Sequence, residues 1–155
     1  MAHKLIALTA ITFLVLGCAL TNGAGGHKAP VGGARIEVEN FKLTKARIEK
    51  HKDASGGRLV VLTHEESEAQ VTVPLQKGDY ELIVYGYAPS YDEDGFFVHI
   101  AGLNDVRMVI PNIKKILPTK PLKFTMPKDG PCTLIIALGE EHVKFDVVVI
   151  RPVKK

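Results

Sequence analysis

Ten short apolar segments, each followed by a turn signal, constrain the fold of this 155-residue chain more than any other feature. Some alternate apolar and polar residues, as in AQVTVPL at 69–75, and others are continuously apolar, as in RLVVLT at 58–63. Short segments with this punctuation, and no amphipathic stretch of three helical turns, predict an all-β fold, an antiparallel β-sandwich. IKKIL at 113–117 fits either a short helix or a further strand. The ten predicted strands are 35–41, 46–50, 58–63, 69–75, 79–88, 96–102, 106–110, 122–126, 132–138 and 143–150.

The first part of the chain differs in character from the rest. MAHK supplies a positive start, an uninterrupted apolar stretch follows at 5–20, and small residues come next. This layout is typical of a secretory signal peptide, which we predict at 1–24. Residues 25–34 are rich in Gly, Ala and Pro and are predicted to be a flexible tether. The ordered domain is expected at 35–153, in a secreted or extracytoplasmic protein.

Cys18 admits two interpretations. LVLGC resembles a bacterial lipobox, in which the cysteine becomes lipidated and anchors the protein to a membrane. Alternatively, the cysteine is discarded with the signal peptide; a retained N-terminal anchor is a further alternative, although the apolar stretch is shorter than the roughly 20 residues of a membrane span. Cys132 is the only other cysteine. Because either fate of Cys18 excludes a disulfide, we expect Cys132 to be a small core residue.

The composition and the motifs exclude several function classes. The formal net charge is +3, aromatic residues make up 6% of the chain, and no basic run exceeds two residues, which argues against nucleic-acid binding. The sequence contains no glycine-rich phosphate loop, no metalloprotease helix motif and no nucleophile elbow. The acidic loop SYDEDG at 90–95 lacks the ligand spacing of an EF-hand and is interpreted as a solvated turn. We therefore predict that the protein is not an enzyme.

Two acidic residues near the start of the predicted domain raise a question about charge. Glu37 and Glu39 lie two residues apart in the predicted strand 35–41, where side chains at this spacing share a face. Like charges side by side are destabilising, whereas calcium binds six to eight oxygen ligands and would reverse the effect. The alternative is that both glutamates face solvent on an edge strand.

The order of motifs along the chain has a counterpart in a known group of proteins. RIEVENF is followed by ASGGRLVVL, then by AQVTVPLQKGDYELIVYGYAPSYDEDGFFVHIAG, and the domain closes with CTLIIALGEEHVKFDVVVI. This order resembles the jelly-roll carbohydrate-binding modules of families 6 and 35, in the galactose-binding-like group, over residues 36–150. The resemblance implies a non-catalytic, secreted β-sandwich that binds an oligo- or polysaccharide.

The resemblance also implies a structural calcium ion between the first and last strands. Its ligands, carried over by position, are Glu37, Glu39 and Asp146. Asp146 lies in the apolar run VKFDVVV, where a buried charge requires a partner. The competing explanation is that Lys144 pairs with Asp146.

The implied sugar site is less complete than in the modules that the chain resembles. Such modules stack aromatic rings on sugars, but this chain has no tryptophan, and its last hairpin, LGEEHVK, has no asparagine. An acidic sugar would suit Arg107 and His142, whereas Tyr87 is equally explained by packing on the sheet. The alternative is a cell-surface structural or protein-interaction sandwich that has lost the sugar site. The candidate ligand-binding residues are Tyr87, Tyr91, Asp92, Asn104, Arg107 and His142.

Overall fold

The described part of the chain is built almost entirely from β-strands. The structure, a computed structural model, describes residues 33–100, 103, 105–111 and 113–154. The strands are β1 (Ala34–Glu37), β2 (Lys42–Thr44), β3 (Ala46–Lys50), β4 (Arg58–Leu62), β5 (Glu68–Leu75), β6 (Gly78–Tyr87), β7 (Gly95–Ile100), β8 (Val106–Val109), β9 (Ile116–Pro118), β10 (Leu122–Met126), β11 (Gly130–Leu138) and β12 (Lys144–Pro152).

These strands form two antiparallel sheets. The seven-stranded sheet has the order β10-β6-β12-β4-β3, with β1 pairing with β12 and β9 pairing with β6. The five-stranded sheet has the order β2-β5-β11-β7-β8. Long central strands pair over many residues, as β12 does with β6, whereas the short strands β8 and β9 lie at the sheet edges. The predicted all-β antiparallel sandwich is confirmed.

The core lies between the sheets and is filled mainly by alternate strand residues, although β4 and β12 each bury four consecutive residues. Phe96 of β7 and Phe145 of β12 are fully buried and meet edge to face, with their ring centroids 4.8 Å apart. Such aromatic pairs stabilise a core beyond the area that they bury. Cys132 of β11 is buried, as predicted, and burial raises the pKa of its thiol.

The first predicted strand ends earlier than expected. β1 stops at Glu37, and Val38–Asn40 form a 3-10 helix, so the prediction that Glu37 and Glu39 share one strand face was wrong. The physical reason is a crossing between layers, since β1 belongs to the seven-stranded sheet and β2 to the five-stranded one. The turn buries Val38 and Phe41 in the core, and the Phe41 amide donates to the Val38 carbonyl at 3.0 Å.

The remaining differences concern short elements. IKKIL resolves as a strand, since Ile116–Pro118 form β9, and β2 at Lys42–Thr44 was not predicted. The predicted signal peptide at 1–24, Cys18 and most of the tether lie outside the described residues. In the part of the chain that is described, no helix is long and apolar enough to cross a membrane.

Candidate functional site

Three carboxylates surround the Ser55–Gly56 turn between β3 and β4, a region that we name the carboxylate turn (Glu37, Glu39, Ser55, Gly56 and Asp146). The Ser55 amide donates to Oδ1 of Asp146 at 2.9 Å, and the Ser55 hydroxyl lies 2.9 Å from the same oxygen. That hydroxyl also lies within hydrogen-bonding distance of Oε2 of Glu37. A hydroxyl has one hydrogen to donate, so it cannot satisfy both carboxylates at once.

Glu39 brings a third negative charge to the same turn. Its Oε2 is buried and has no hydrogen-bond partner within the described residues. Its carboxylate lies against Gly56, where an added Cβ atom would overlap Oε1. A buried, unpartnered carboxylate oxygen is costly unless a cation or a hydrogen-bond donor completes it.

Asp146 reaches the turn because β12 is irregular at this point. The register of β12 against β6 shifts between Phe145 and Val147, so a bulge interrupts the buried run. Asp146 is only 4% exposed. The alternative pairing with Lys144 is not formed, since Nζ of Lys144 lies 2.5 Å from Oε2 of Glu49.

The donor set of the carboxylate turn consists of hard oxygen atoms, which suit calcium. Among the described residues, the only cation within 4.0 Å of these carboxylates is Arg35, whose side chain is exposed and whose Nε lies 3.4 Å from Oε1 of Glu37. No group of three His, Cys, Asp or Glu side chains in the described ranges is spaced as a ready-made metal cluster. Glu37 and Asp146 meet at Ser55, while Glu39 lies on the neighbouring Gly56. The residues therefore fit an oxygen-coordinated cation in chemical type.

A second set of charges, which we name the loop cluster (Glu93, Asp94, Arg107, Glu140 and His142), joins the β6–β7 and β11–β12 connections. Arg107 places a guanidinium nitrogen 2.5 Å from Oε1 of Glu140 and 3.9 Å from Oδ1 of Asp94. Nδ1 of His142 lies 2.8 Å from Oε1 of Glu93. Every acid of this cluster therefore has a basic partner within it.

Backbone amides also bind the loop cluster, and the pKa values of its acids shift in different directions. The amides of Asp94 and Gly95 donate to Oε2 of Glu140 at 2.9 and 2.7 Å. Desolvation opposes ionisation of Glu140, but these amides and Arg107 outweigh it and lower the pKa of this acid. Desolvation and the charge of Glu140 raise the pKa of Asp94. The Ser90 hydroxyl and His142 lower the pKa of Glu93.

The structure brings most of the predicted ligand-binding residues to the same end of the sandwich. Arg107 and His142 belong to the loop cluster, and Tyr91 and Asp92 lie exposed in the β6–β7 connection, with Tyr91 69% exposed. Tyr87 is half-buried at the end of β6 and lies beside Lys144 on the neighbouring strand. Asn104 lies outside the described residues.

Tyr87 has two neighbours that the sequence did not indicate. Its ring centroid lies 5.2 Å from that of His51 and 5.9 Å from Nζ of Lys144. Glu49 pairs with Lys144, and this pairing lowers the pKa of Glu49. The strand register places Lys144 opposite Tyr87 and could have indicated this contact. That register can be read only once β12 is known to pair with β6.

Comparisons with known proteins identify the fold. No model of a known protein family matches the sequence, and no curated protein matches it significantly. Among solved structures, CBM35 from Paenibacillus barcinonensis is 15% identical, has a TM-score of 0.64, and is matched over 100% of its length by 78% of this chain. The C-terminal CBM6 of LamC, a marine laminarinase from Zobellia galactanivorans, is 15% identical with a TM-score of 0.62, over 98% of its length and 77% of this chain.

A longer protein also contains this fold. The exo-β-1,3-galactanase from Phanerochaete chrysosporium is 16% identical with a TM-score of 0.64, over 76% of this chain. The present chain spans only 29% of the length of that enzyme. The described domain therefore has the fold of the carbohydrate-binding modules of families 6 and 35.

Proposed function

We propose that the protein is a non-catalytic carbohydrate-binding module, held together by a structural calcium ion. The observation that carries this proposal is the match to solved CBM35 and CBM6 modules over nearly their whole length. By contrast, the galactanase match covers less than a third of that enzyme. A fold hosts many functions, so the residues of the site must support the assignment as well.

The carboxylate turn supports the calcium part of the proposal. Glu37, Glu39 and Asp146 would hold the ion, together with the Ser55 hydroxyl. When bound, calcium would supply positive charge to two carboxylates that otherwise share one hydroxyl hydrogen and to a third, that of Glu39, whose buried oxygen has no described partner, and it would perform no chemistry on a substrate. Because these residues come from β1, the turn at Val38–Asn40, the β3–β4 connection and β12, the ion would tie both ends of the domain together.

The ring and charge groups at the loop end support the carbohydrate part. Tyr87 with His51 offers aromatic surface, and Tyr91 projects into solvent from the adjacent loop. Aromatic rings pack against the apolar faces of pyranoses, while the neighbouring polar side chains bind hydroxyl groups. Lys144, Arg107 and His142 lie around this end, each beside a protein carboxylate, and would exchange that partner to bind a sugar that carries a carboxylate.

Thermal unfolding of residues 25–155 tests both parts, because a ligand that binds only the native state raises the unfolding midpoint. The protein is unfolded with and without calcium, and then with neutral and acidic oligosaccharides in the presence of calcium. We expect calcium to raise the midpoint and an acidic oligosaccharide to raise it further. The glycan response should disappear in Tyr91→Ala and remain in Thr72→Ala, an exposed control on β5. Absence of any glycan response at millimolar ligand would contradict the carbohydrate assignment.

We further propose that the protein is secreted or extracytoplasmic. The support is the sequence layout at 1–24. Labelling with a fatty acid analogue separates the two fates of Cys18, since a lipidated protein would lose the label in Cys18→Ser and a cleaved one would never acquire it.

A further inference from the structure

A groove of about 390 Å³ runs along one open flank of the sandwich. One wall is the edge strand β8, Val106–Val109, and the other is the segment Thr119–Leu122 of the opposite sheet, with Pro111 between them. The groove is lined mainly by aliphatic and proline side chains, and Lys120 is the charged residue of its second wall.

The β8 wall presents backbone groups that no strand satisfies among the described residues. The Gly95 amide and carbonyl both bond to Glu140, so Gly95 points its backbone away from β8. The amide of Ile110, directly after β8, donates to the Asp94 carbonyl. Met108 and Val106, two and four residues earlier, therefore direct their backbone groups toward β7. The peptide groups of Arg107 and Val109 consequently face the groove, since backbone groups alternate in direction along a strand.

The opposite wall of the groove is less able to pair with a further strand. Pro118 and Pro121 lack an amide hydrogen, so the edge formed by β9 and its connection to β10 is a poor acceptor of a further strand. Natural proteins usually protect an open edge with proline or lysine, and Val106–Val109 contains neither. On this flank, β8 is therefore the edge that is open to pairing.

The charged residues that line the groove are basic: Arg107, which pairs with Asp94 and Glu140, and Lys120. Between positions 106 and 128 the sequence contains five lysines, one arginine and no acidic residue; Asp105, which directly precedes β8, pairs with His99. Arg107 pairs with Glu140, but none of the five lysines forms an ion pair with a described carboxylate. Lys123 lies opposite Glu81 on the adjacent strand β6, and Lys114, Lys115 and Lys120 are exposed. The charge of this flank complements an acidic chain.

The positive charge of this flank argues against two possible occupants of the β8 edge, a second copy of this chain and the chain's own terminal segments. A second copy pairing through β8 would bring the same lysines together, which is unfavourable. The chain's own N-terminal sequence, 1–32, contains no acidic residue, and its last residues are Lys154 and Lys155. Neither of these two segments therefore supplies acidic residues to the groove, which favours a separate acidic molecule as the occupant.

We propose that the β8 edge binds an extended acidic segment of another protein, which adds to the five-stranded sheet as a further strand. The Arg107 and Val109 peptide groups would pair with its backbone, the aliphatic walls would take its apolar side chains, and the lysines would attract its carboxylates. This site lies on the flank of the sandwich and shares only Arg107, through its backbone, with the residues proposed to contact sugar.

A synthetic peptide of alternating glutamate and valine, with blocked ends, is the probe for this site. We expect it to bind at low ionic strength and to slow hydrogen exchange at the Arg107 and Val109 amides. Exchange at Met108, whose amide direction is toward β7, should not change. The same peptide with N-methylated backbone at alternate residues, or with lysine in place of glutamate, should not bind. Equal binding of the N-methylated peptide would overturn strand addition.

A charge-reversal variant provides the second test. Lys120→Glu should weaken peptide binding by about fivefold or more, because a favourable surface charge becomes repulsive. Lys42→Glu is the matched control, since Lys42 lies exposed on β2 at the far edge of the same sheet, and it should bind as wild type does. Tyr87→Ala should also leave peptide binding unchanged, which separates this site from the glycan site.

An anionic polysaccharide is the competing occupant. Polygalacturonate binding that is lost in Lys120→Glu, with no binding of the glutamate–valine peptide, would overturn the proposal and assign the flank to a glycan. Peptide binding with unchanged exchange at Arg107 and Val109 would also overturn it, because the contact would then be one of side chains alone.

Discussion

The carboxylate turn and the loop cluster contain similar residues and differ in how their charges are balanced. In the loop cluster, Arg107 lies beside two acids and His142 faces a third. In the carboxylate turn, two acids meet one serine and a third lies against the neighbouring glycine, and the only described ion pair is with the exposed Arg35. One region is therefore electrostatically complete with protein groups, whereas the other has an excess of negative charge.

The difference indicates what each region contributes. A set of paired charges joined to backbone amides braces two loops and needs no ligand to do so. An excess of negative charge at a turn where Asp146 and one oxygen of Glu39 are buried causes repulsion that a cation would relieve. Acidic residues by themselves therefore do not mark a metal site; the missing counter-charge does.

Of the changes considered, calcium binding at the carboxylate turn is predicted to have the largest effect on stability. At a concentration 100-fold above its dissociation constant, it should stabilise the native state by about 2.7 kcal/mol. In a domain of this size, that corresponds to a rise of about 10 °C in the unfolding midpoint. Asp146→Asn should abolish the response, and without calcium this variant should be at least as stable as wild type, because one repelling charge is removed and Oδ1 still accepts from Ser55.

Glu140→Gln is the matched control for that measurement, since it removes an acid from the loop cluster instead. Its midpoint should rise with calcium as much as that of wild type. A calcium response that survives in Asp146→Asn, or is lost in Glu140→Gln, would assign the ion to a different place.

Glu140→Gln is predicted to have the second largest effect: it lowers the stability of the domain and leaves the calcium response unchanged. It weakens the bonds from Arg107 and from the Asp94 and Gly95 amides, which should cost about 1–2 kcal/mol in urea unfolding at neutral pH. Because the fold lowers the pKa of Glu140, the stability from its charge is present above its ordinary value of 4.5 and is lost as pH falls through the lower folded value. The difference between variant and wild type should therefore close in acid; a constant difference down to pH 3 would contradict the charge mechanism.

Two neighbouring glycines separate backbone strain from ion binding. Gly57 has a φ of +70°, and a Cβ atom added there would have no neighbour within 4 Å, so Gly57→Ala should cost about 1 kcal/mol through strain alone. Gly56→Ala would place a methyl group on top of Oε1 of Glu39 and displace that carboxylate. We expect weaker calcium binding in Gly56→Ala and unchanged binding in Gly57→Ala, measured by titration calorimetry. Equal calcium affinity in both variants would exclude Glu39 as a ligand.

Much of the fold could be predicted from the sequence because strand patterns are local. The segment 122–126 was predicted with its observed bounds, and β6 and β11 within two residues. The first strand was extended too far because Glu37 and Glu39 continue its alternation. That alternation cannot reveal that the chain leaves one sheet for the other at Val38, which depends on where β2 lies.

The candidate sites were predictable only in part. The three acids of the carboxylate turn were implied by resemblance, but Ser55 and Gly56 were not, since the role of Ser55 depends on a bulge in β12 that brings Asp146 to it. Arg107 and His142 were selected as ligand contacts, whereas each already faces an acid. These contacts join strands far apart in sequence, so no local pattern records them. The open β8 edge likewise follows from sheet order alone.

Asp94→Asn is predicted to have the smallest effect and the opposite sign to Glu140→Gln. Burial, together with the charge of Glu140, raises the pKa of Asp94, so ionising this acid costs stability in the fold. The stability associated with its protonated form is complete below its ordinary value of 3.8 and is lost as pH rises through the higher folded value.

Replacing Asp94 by asparagine should therefore raise stability at neutral pH, by less than about 0.5 kcal/mol because the group remains near solvent. The gain in stability should vanish below pH 3.8. The loss of stability in Glu140→Gln should likewise approach zero in acid. Urea unfolding of both variants between pH 3 and 7 measures this. Opposite signs at neutral pH would show that Arg107 is shared unequally, with Glu140 as its main partner. A loss of stability in Asp94→Asn would mean instead that Asp94 needs its charge, and that the loop cluster is balanced by both acids together.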